Sequence, residues 1–277
     1  MKHVKIFLLV TALVVLSSSI VYADGAKVGI LSLAKMTAED FSKAAAVVAT
    51  KFVLWEVNEN KGDAPQVFRY YDNMSAMLLA LEAGEIDEIM LTRPVAEYLT
   101  AQNPSLKVSA VTGMAEGLGY SFGFLNNEKG KALREKFNEA LSLIKQVGRM
   151  DKLHAKYLVN SGAKAPEAAK FPLFPDGETI KVAVTGDLPP LDYTAADGKA
   201  AGYNTAILAE IGKHLGCNME LLQVDSAARV PALTSGRADV VFWFNVTSSG
   251  EQADLTSDVI ISAPYYASDL LFKVRKK

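Results

Sequence analysis

Cysteine is nearly absent from this chain. Cys217 is the single one in 277 residues, which excludes a disulfide framework, and three histidines (His3, His154 and His214) leave little for a zinc site. Neither a glycine-rich phosphate loop, a Ser-His-Asp arrangement nor a metal-ligand spacing stands out, so no cofactor, no metal and no catalytic residue is expected. An excess of one charge is also missing. The 29 Lys and Arg face 31 Asp and Glu, for a net charge of -2, and such a surface cannot neutralise many phosphates, so nucleic acid is not an expected partner. Long apolar runs are lacking too: the clearest, Ile6 to Leu16, is too short for a membrane-spanning helix, which needs about 20 residues. What is present is a 50% hydrophobic and 22% charged composition, enough to bury one large core or two moderate ones.

The apolar run has its own meaning. Lys2, His3 and Lys5 precede it, and Ser17 to Ser19 and then Val21-Tyr22-Ala23 follow. A charged start, a short apolar centre and a small residue at the end read as a secretory signal peptide, residues 1–23, cleaved after Ala23. Asp24 stands where a lipid-anchored protein would carry Cys. The mature chain is therefore expected outside the cytoplasmic membrane, in the periplasm.

Further along, the pattern alternates strand and helix. Lys27–Leu31 reads as a short strand, Thr37-Ala38-Glu39-Asp40 as a variant capping box, and Phe41–Val57 as a helix with some strand character. Val67–Tyr71 is strand-like, Asn73 is placed to cap a helix Met74–Glu82, Gly84 to end it, and Ile86–Leu91 to return as a buried strand. This unit recurs. Ala80-Leu81-Glu82-Ala83-Gly84-Glu85-Ile86-Asp87 aligns with Ala232-Leu233-Thr234-Ser235-Gly236-Arg237-Ala238-Asp239, and a strand, Val240–Phe244 in the second case, follows each. The spacing predicts two related α/β lobes. Between them come a strand Tyr120–Leu125, helices Lys131–Val147 and Met150–Leu158, and an irregular connector at 160–178. The strand Ile180–Val184, the helix Thr205–Leu215 and the strand Met219–Val224 complete a second βαβ pattern.

These residues resemble the family 3 periplasmic solute-binding proteins, the polar amino-acid receptors of ABC transporters. The resemblance is carried by Lys181-Val182-Ala183-Val184-Thr185-Gly186-Asp187-Leu188-Pro189-Pro190-Leu191-Asp192-Tyr193, by Asp197-Gly198-Lys199 and Ala201-Gly202-Tyr203-Asn204, and by Val230-Pro231-Ala232-Leu233. It continues through Gly236-Arg237-Ala238-Asp239 to Ser262-Ala263-Pro264-Tyr265-Tyr266. In the family these segments open the chain. Here the segments resembling its second lobe and closing helices, Lys27-Val28-Gly29, Gly84–Tyr98, Tyr120–Phe124 and Leu133 to Leu158, come first. The resemblance thus implies an α/β, two-lobed periplasmic binding protein type II fold with a hinge, its lobes in circularly permuted order. Residues 24–118 would be the family's second lobe and 119–277 its first, with 160–178 joining the usual termini and the hinge near 116–121 and 264–274. A swapped dimer is the alternative route to the same pairing.

The function implied is that of a receptor that closes over a small-molecule solute and delivers it to an ABC transporter permease in the cytoplasmic membrane, acting as a monomer and not as an enzyme. Ligands of such folds bind beyond the carboxyl ends of the strands. That places Thr92 and Arg93 on one wall, Trp243, Phe244 and Asn245 on the other, Asp187, Leu188 and Tyr193 on the turn after Ile180–Val184, and Lys35 near the capped helix. The family's amino-acid code is altered: Gly250 stands at the Arg of its Thr-x-x-Arg pattern, Leu33-Ala34-Lys35 replaces its carboxylate-binding turn, and Thr92 replaces its ammonium-reading Asp. A bidentate Arg contact is strong and geometrically specific. Its loss points away from standard α-amino acids, while Arg93 and Lys35 suggest a small organic anion and the aromatics a flat or apolar group. Two other classes remain: a ligand-free sensory or interaction protein, and a dehydratase-like enzyme with Asp187, Asp192 or Glu251 as acid or base. Of the remaining residues, Cys217 reads as a small buried hydrophobe and His154 as part of a solvated helix face.

Overall fold

The computed structural model describes residues 26–31, 67–159, 168–246 and 257–277. The expected leader, the Thr37 cap, the Phe41–Val57 helix, Lys35, and Gly250 and Glu251 lie outside the described residues.

Twelve described strands and six helices follow the chain. β1 (Lys27–Leu31), β2 (Val67–Tyr71), α1 (Met74–Ala83), β3 (Glu88–Thr92) and α2 (Arg93–Gln102) come first. After β4 (Leu106–Leu125) stand α3 (Glu128–Gln146) and α4 (Arg149–His154), with one π-helical turn, Ala155–Val159. The second half holds β5 (Thr179–Val184), β6 (Asp187–Leu188), β7 (Asp192–Thr194), β8 (Ala200–Ala201), α5 (Tyr203–Leu215) and β9 (Asn218–Gln223). It closes with α6 (Arg229–Thr234), β10 (Val240–Val246), β11 (Val259–Ile261) and β12 (Tyr266–Lys276).

The sheet order shows the duplication. On one side it runs β2-β1-β3-β12-β4; on the other, β9-β5-β10-β4-β11. Each half is a parallel trio with its first strand in the middle, followed by an antiparallel strand arriving from the other half. Two strands span both halves. β4 pairs with β12 near residues 106–113 and with β10 at Leu118–Gly123, while β12 also pairs with β3. The β4/β12 register shifts between Ser268 and Leu270, where the ribbon passes from one half to the other. At Gly119 an added Cβ would lie 2.3 Å from Tyr266 O, so glycine is what lets the two spanning strands approach.

The repeated octapeptide forms the same structure twice. Gly84 and Gly236 take left-handed conformations (φ 76° and 71°) after their helices, with Gly84 N–H donating to Leu81 O and Gly236 N–H to Leu233 O. The Asp three residues on then clips the first strand of its own lobe. Lys27 N–H donates to Asp87 Oδ2 at 2.8 Å and Asp87 N–H returns to Lys27 O; Lys181 N–H donates to Asp239 Oδ2 at 3.0 Å and Asp239 N–H returns to Lys181 O.

Packing follows the helical periodicity. Leu133, Phe137, Ala140, Leu141 and Ile144 are buried along one face of α3, and Phe137 stands edge-on to Phe122 and Phe124 of β4, with ring centroids 5.3 and 5.2 Å apart. Asn127 caps this helix through Gly130 N–H at 2.8 Å, and Asn73 caps α1 through Ala76 N–H at 2.9 Å. The sequence understates two elements. The expected strand Tyr120–Leu125 begins at Leu106, and the expected helix Met150–Leu158 is α4 followed by the π turn.

Candidate functional site

The site begins at the carboxyl ends of β5 and β9. After β5 the chain forms a small antiparallel sheet, β6-β7-β8, in which Asp187 faces Tyr193 and Leu188 faces Asp192. The start of α5 fixes this turn: Tyr203 N–H donates to Pro190 O and Asn204 N–H to Leu191 O. Gly202 permits it, with φ 115° and no room for a Cβ beside Leu191 O. Asp192 is thereby driven inward, 1% exposed, and its Oδ2 accepts from Thr185 N–H (2.7 Å) and Thr185 Oγ (3.0 Å). Burial raises its carboxyl group to about 6, against the lowering effect of the Thr185 bonds.

Electrostatically linked to it is a buried guanidinium. Arg229, 7% exposed at the start of α6, donates from Nε to Ser226 O (3.0 Å), from Nη1 to Phe242 O (2.9 Å) and from Nη2 to Ser226 Oγ (2.6 Å). Among the described residues no carboxylate lies within ion-pair distance of it. Its charge is felt instead by Asp192, Tyr120, Asp187 and Tyr265, which oppose the lowering that burial imposes on it. Tyr120 and Tyr265 are both raised above the ordinary phenol value, chiefly by burial.

Aromatic rings enclose this polar nest. Tyr265 stacks on Phe122 at 4.5 Å, Tyr266 lies 5.9 Å from Tyr120, and His154 stacks over Tyr266 at 5.9 Å with its edge toward Tyr203. His154 is therefore half-buried against the β12 strand rather than on a solvated face.

The residues expected on the walls are distributed unevenly. Thr92, at the end of β3, is buried and shares a 3.0 Å hydrogen bond with Tyr120 Oη, so it does join the nest, from the other lobe. Asp187 also crosses between lobes: its Oδ2 accepts from Met74 N–H at 2.7 Å, in the first turn of α1. Tyr193 is buried, its phenol pushed up to about 12 by burial and by the nearby Tyr98 and Tyr157 hydroxyls. Leu188 is half-buried against the core. Arg93 begins α2 with its side chain 56% exposed, and its Nε donates to Glu97 Oε1 at 2.8 Å. The backbone of Trp243, Phe244 and Asn245 lies in β10 opposite Ser121, Tyr120 and Gly119. Among the described residues no group of three His, Cys, Asp or Glu side chains is placed to hold a metal ion. Cys217 is buried, as its residue type suggests.

Sequence reasoning missed Arg229, Tyr120 and Tyr265 as site residues. One signal was available for Arg229: it stands one helical turn before Leu233, and so on the face that α6 buries.

Residues 180–277 match the family model described as bacterial extracellular solute-binding proteins, family 3. A probable histidine-binding protein of Neisseria gonorrhoeae is 25% identical over 103 residues, 37% of this chain; the match spans 38% of that relative's length. Among solved structures, a ligand-binding component of an ABC-type import system from Staphylococcus aureus aligns over 91% of this chain and 65% of its own at 12% identity, with a TM-score of 0.44. The methionine-binding protein MetQ aligns over 91% of this chain and 83% of its own at 12% identity, TM-score 0.40. The alkanesulfonate-binding protein SsuA of Xanthomonas axonopodis pv. citri aligns over 91% and 65% at 11% identity, TM-score 0.43. Residues 180–277, which hold Asp192, Arg229 and Tyr265, are thus the part of the chain that is similar to the family 3 bacterial extracellular solute-binding proteins.

Proposed function

We propose that the protein is an extracytoplasmic receptor that captures a small anionic solute between its lobes and delivers it to an ABC transporter permease. The observation that carries the anionic preference is Arg229: a buried guanidinium with no carboxylate in contact among the described residues. A buried charge is stable only when paired or well solvated by dipoles. Its partners within the chain are two carbonyls and a hydroxyl, so an arriving anion gains a charge-assisted bond that the chain itself does not supply. Arg229 takes this role in place of the exposed Arg93.

The same reading includes residues 1–23 as a leader cleaved after Ala23, a periplasmic monomer, and a non-catalytic site without cofactor. It also includes the domain division at 118/119, with the lobes in permuted order and 160–178 as connector. The equivalent strand order of the two halves supports the permutation, since either lobe can then come first.

Calorimetric titration of the purified mature protein with a panel of small acids and cationic amino acids tests the reading. Acids should bind, and Arg229→Gln should weaken them at least 10-fold. Binding of cationic amino acids in preference to acids would overturn it.

A further inference from the structure

Around Arg229 the hydrogen-bonding capacity is not exhausted, and what is left over has a definite chemical sense. A guanidinium offers five N–H bonds, and those to Ser226 O, Ser226 Oγ and Phe242 O use only part of them. Asp192 Oδ2 takes both Thr185 donors, while Asp192 Oδ1 is buried with no partner among the described residues; so is Tyr265 Oη. Asp192 is 1% exposed and Tyr265 2%, and each is an electrostatic neighbour of Arg229 and of the other. Buried polar atoms almost always have partners, so Asp192 Oδ1 and Tyr265 Oη, both under the influence of a guanidinium that has no carboxylate in hydrogen-bond contact among the described residues, mark a place where a partner comes from outside the chain.

The pair is complementary to one group in particular. Asp192 Oδ1 is an acceptor, and Tyr265 Oη carries a proton to donate. A hydroxyl satisfies both, donating to the carboxylate and accepting from the phenol. An ammonium donates only, and would leave the Tyr265 proton unmet. We propose that Asp192 and Tyr265 set the specificity of the Arg229 site, so that the solute is an acid with a hydroxyl group close to its anionic group, a 2-hydroxy acid being the simplest case. The anion lies on the free N–H bonds of Arg229, and the hydroxyl lies between Asp192 Oδ1 and Tyr265 Oη. This inference rests on the anion-receptor reading above and adds the second group that the solute must carry.

Three matched pairs of acids differing only by a 2-hydroxyl test it by calorimetric titration of the mature protein: propionate and lactate, succinate and malate, phenylacetate and mandelate. The hydroxy member should bind at least 10-fold tighter in one or more pairs. Asp192→Asn and Tyr265→Phe should each bring that ratio toward one, whereas Arg229→Gln should weaken both members alike. Equal affinity within every pair for the wild-type protein overturns this inference while leaving the anion reading in place, and a buried water then fills the hydroxyl position. Failure of all six acids to bind overturns both. Circular dichroism reports whether each variant is folded, and Tyr265→Phe, which removes one atom, carries the test if Asp192→Asn does not fold.

Discussion

At the scale of single residues the chemistry concentrates on Asp192 and Arg229. The Asp192 carboxyl titrates at about 6 in the folded protein, against an ordinary value of 3.8, because its burial disfavours the charge more than the Thr185 bonds favour it. A carboxyl whose pKa is higher in the folded chain binds its proton more tightly there than in the unfolded chain. Stability from this group is therefore full below pH 4 and is lost as pH rises through 6, by about 3 kcal/mol at the plateau for a shift of roughly two units. In Asp192→Asn the amide oxygen can still accept from Thr185, and the charge is gone. Thermal unfolding of wild type and variant from pH 4 to pH 7 should show the variant gaining relative stability with pH, with most of the change between pH 4 and 6. A constant difference would remove the buried charge as its cause. Little of this was legible in the sequence. Asp192 stood there as one of three candidate acids or bases, with Asp187 and Glu251, and its burial depends on α5, whose first N–H groups hold Pro190 O and Leu191 O. Arg93 invited selection because it follows a buried strand, but the next helical turn supplies Glu97, and an ion pair between such exposed side chains contributes little.

At the scale of elements the sequence was a good guide wherever local chemistry decides the outcome. The Asn73 cap, the Gly84 and Gly236 helix stops and the apolar stripe of α3 are local signals, and each forms the expected structure. β4 was legible only at its end. Its earlier part, Leu106–Gly113, is held extended by pairing with β12, a partner far away in the sequence, and at Gly119 the partner's backbone comes too close for any side chain. The Asp clips belong to this scale as well. Each carboxylate accepts a backbone N–H at the entry of the first strand of its lobe, in an exposed position, so each is worth about 1 kcal/mol. Asp87→Ala should lower the urea midpoint by a corresponding amount. Asp239→Ala should cost slightly more, because Asp239 also receives Lys129 Nζ at 2.7 Å. Glu at either position is a further check: its extra methylene cannot reproduce both bonds, so it should recover only part of the loss.

At the scale of the whole molecule, the question is what holds the two halves of the sheet together. The spanning strands β4 and β12 tie them at one edge, and Thr92 bonds Tyr120 beside that junction. Away from the spanning strands, the Asp187 carboxylate of one half accepts the Met74 N–H of the other at 2.7 Å. That N–H belongs to the first turn of α1, where backbone donors lack helical partners and the helix dipole favours a negative charge. The contact therefore favours the arrangement seen here through a group supplied by the protein itself. In a hinged receptor of the kind proposed above, open and closed states are separated by a few kcal/mol, and an anionic hydrogen bond of about 1 to 2 kcal/mol is enough to move that balance several-fold. Asp187→Ala removes the acceptor, together with a carboxylate whose charge acts on Arg229 and Asp192, and leaves the spanning strands as they are. Small-angle scattering of the mature variant should then give a larger radius of gyration than the wild type, and Asp187→Asn, which keeps a neutral acceptor, should fall between them. Identical scattering curves for all three would mean that the spanning strands alone set the lobe angle and that Asp187 merely caps the helix it meets.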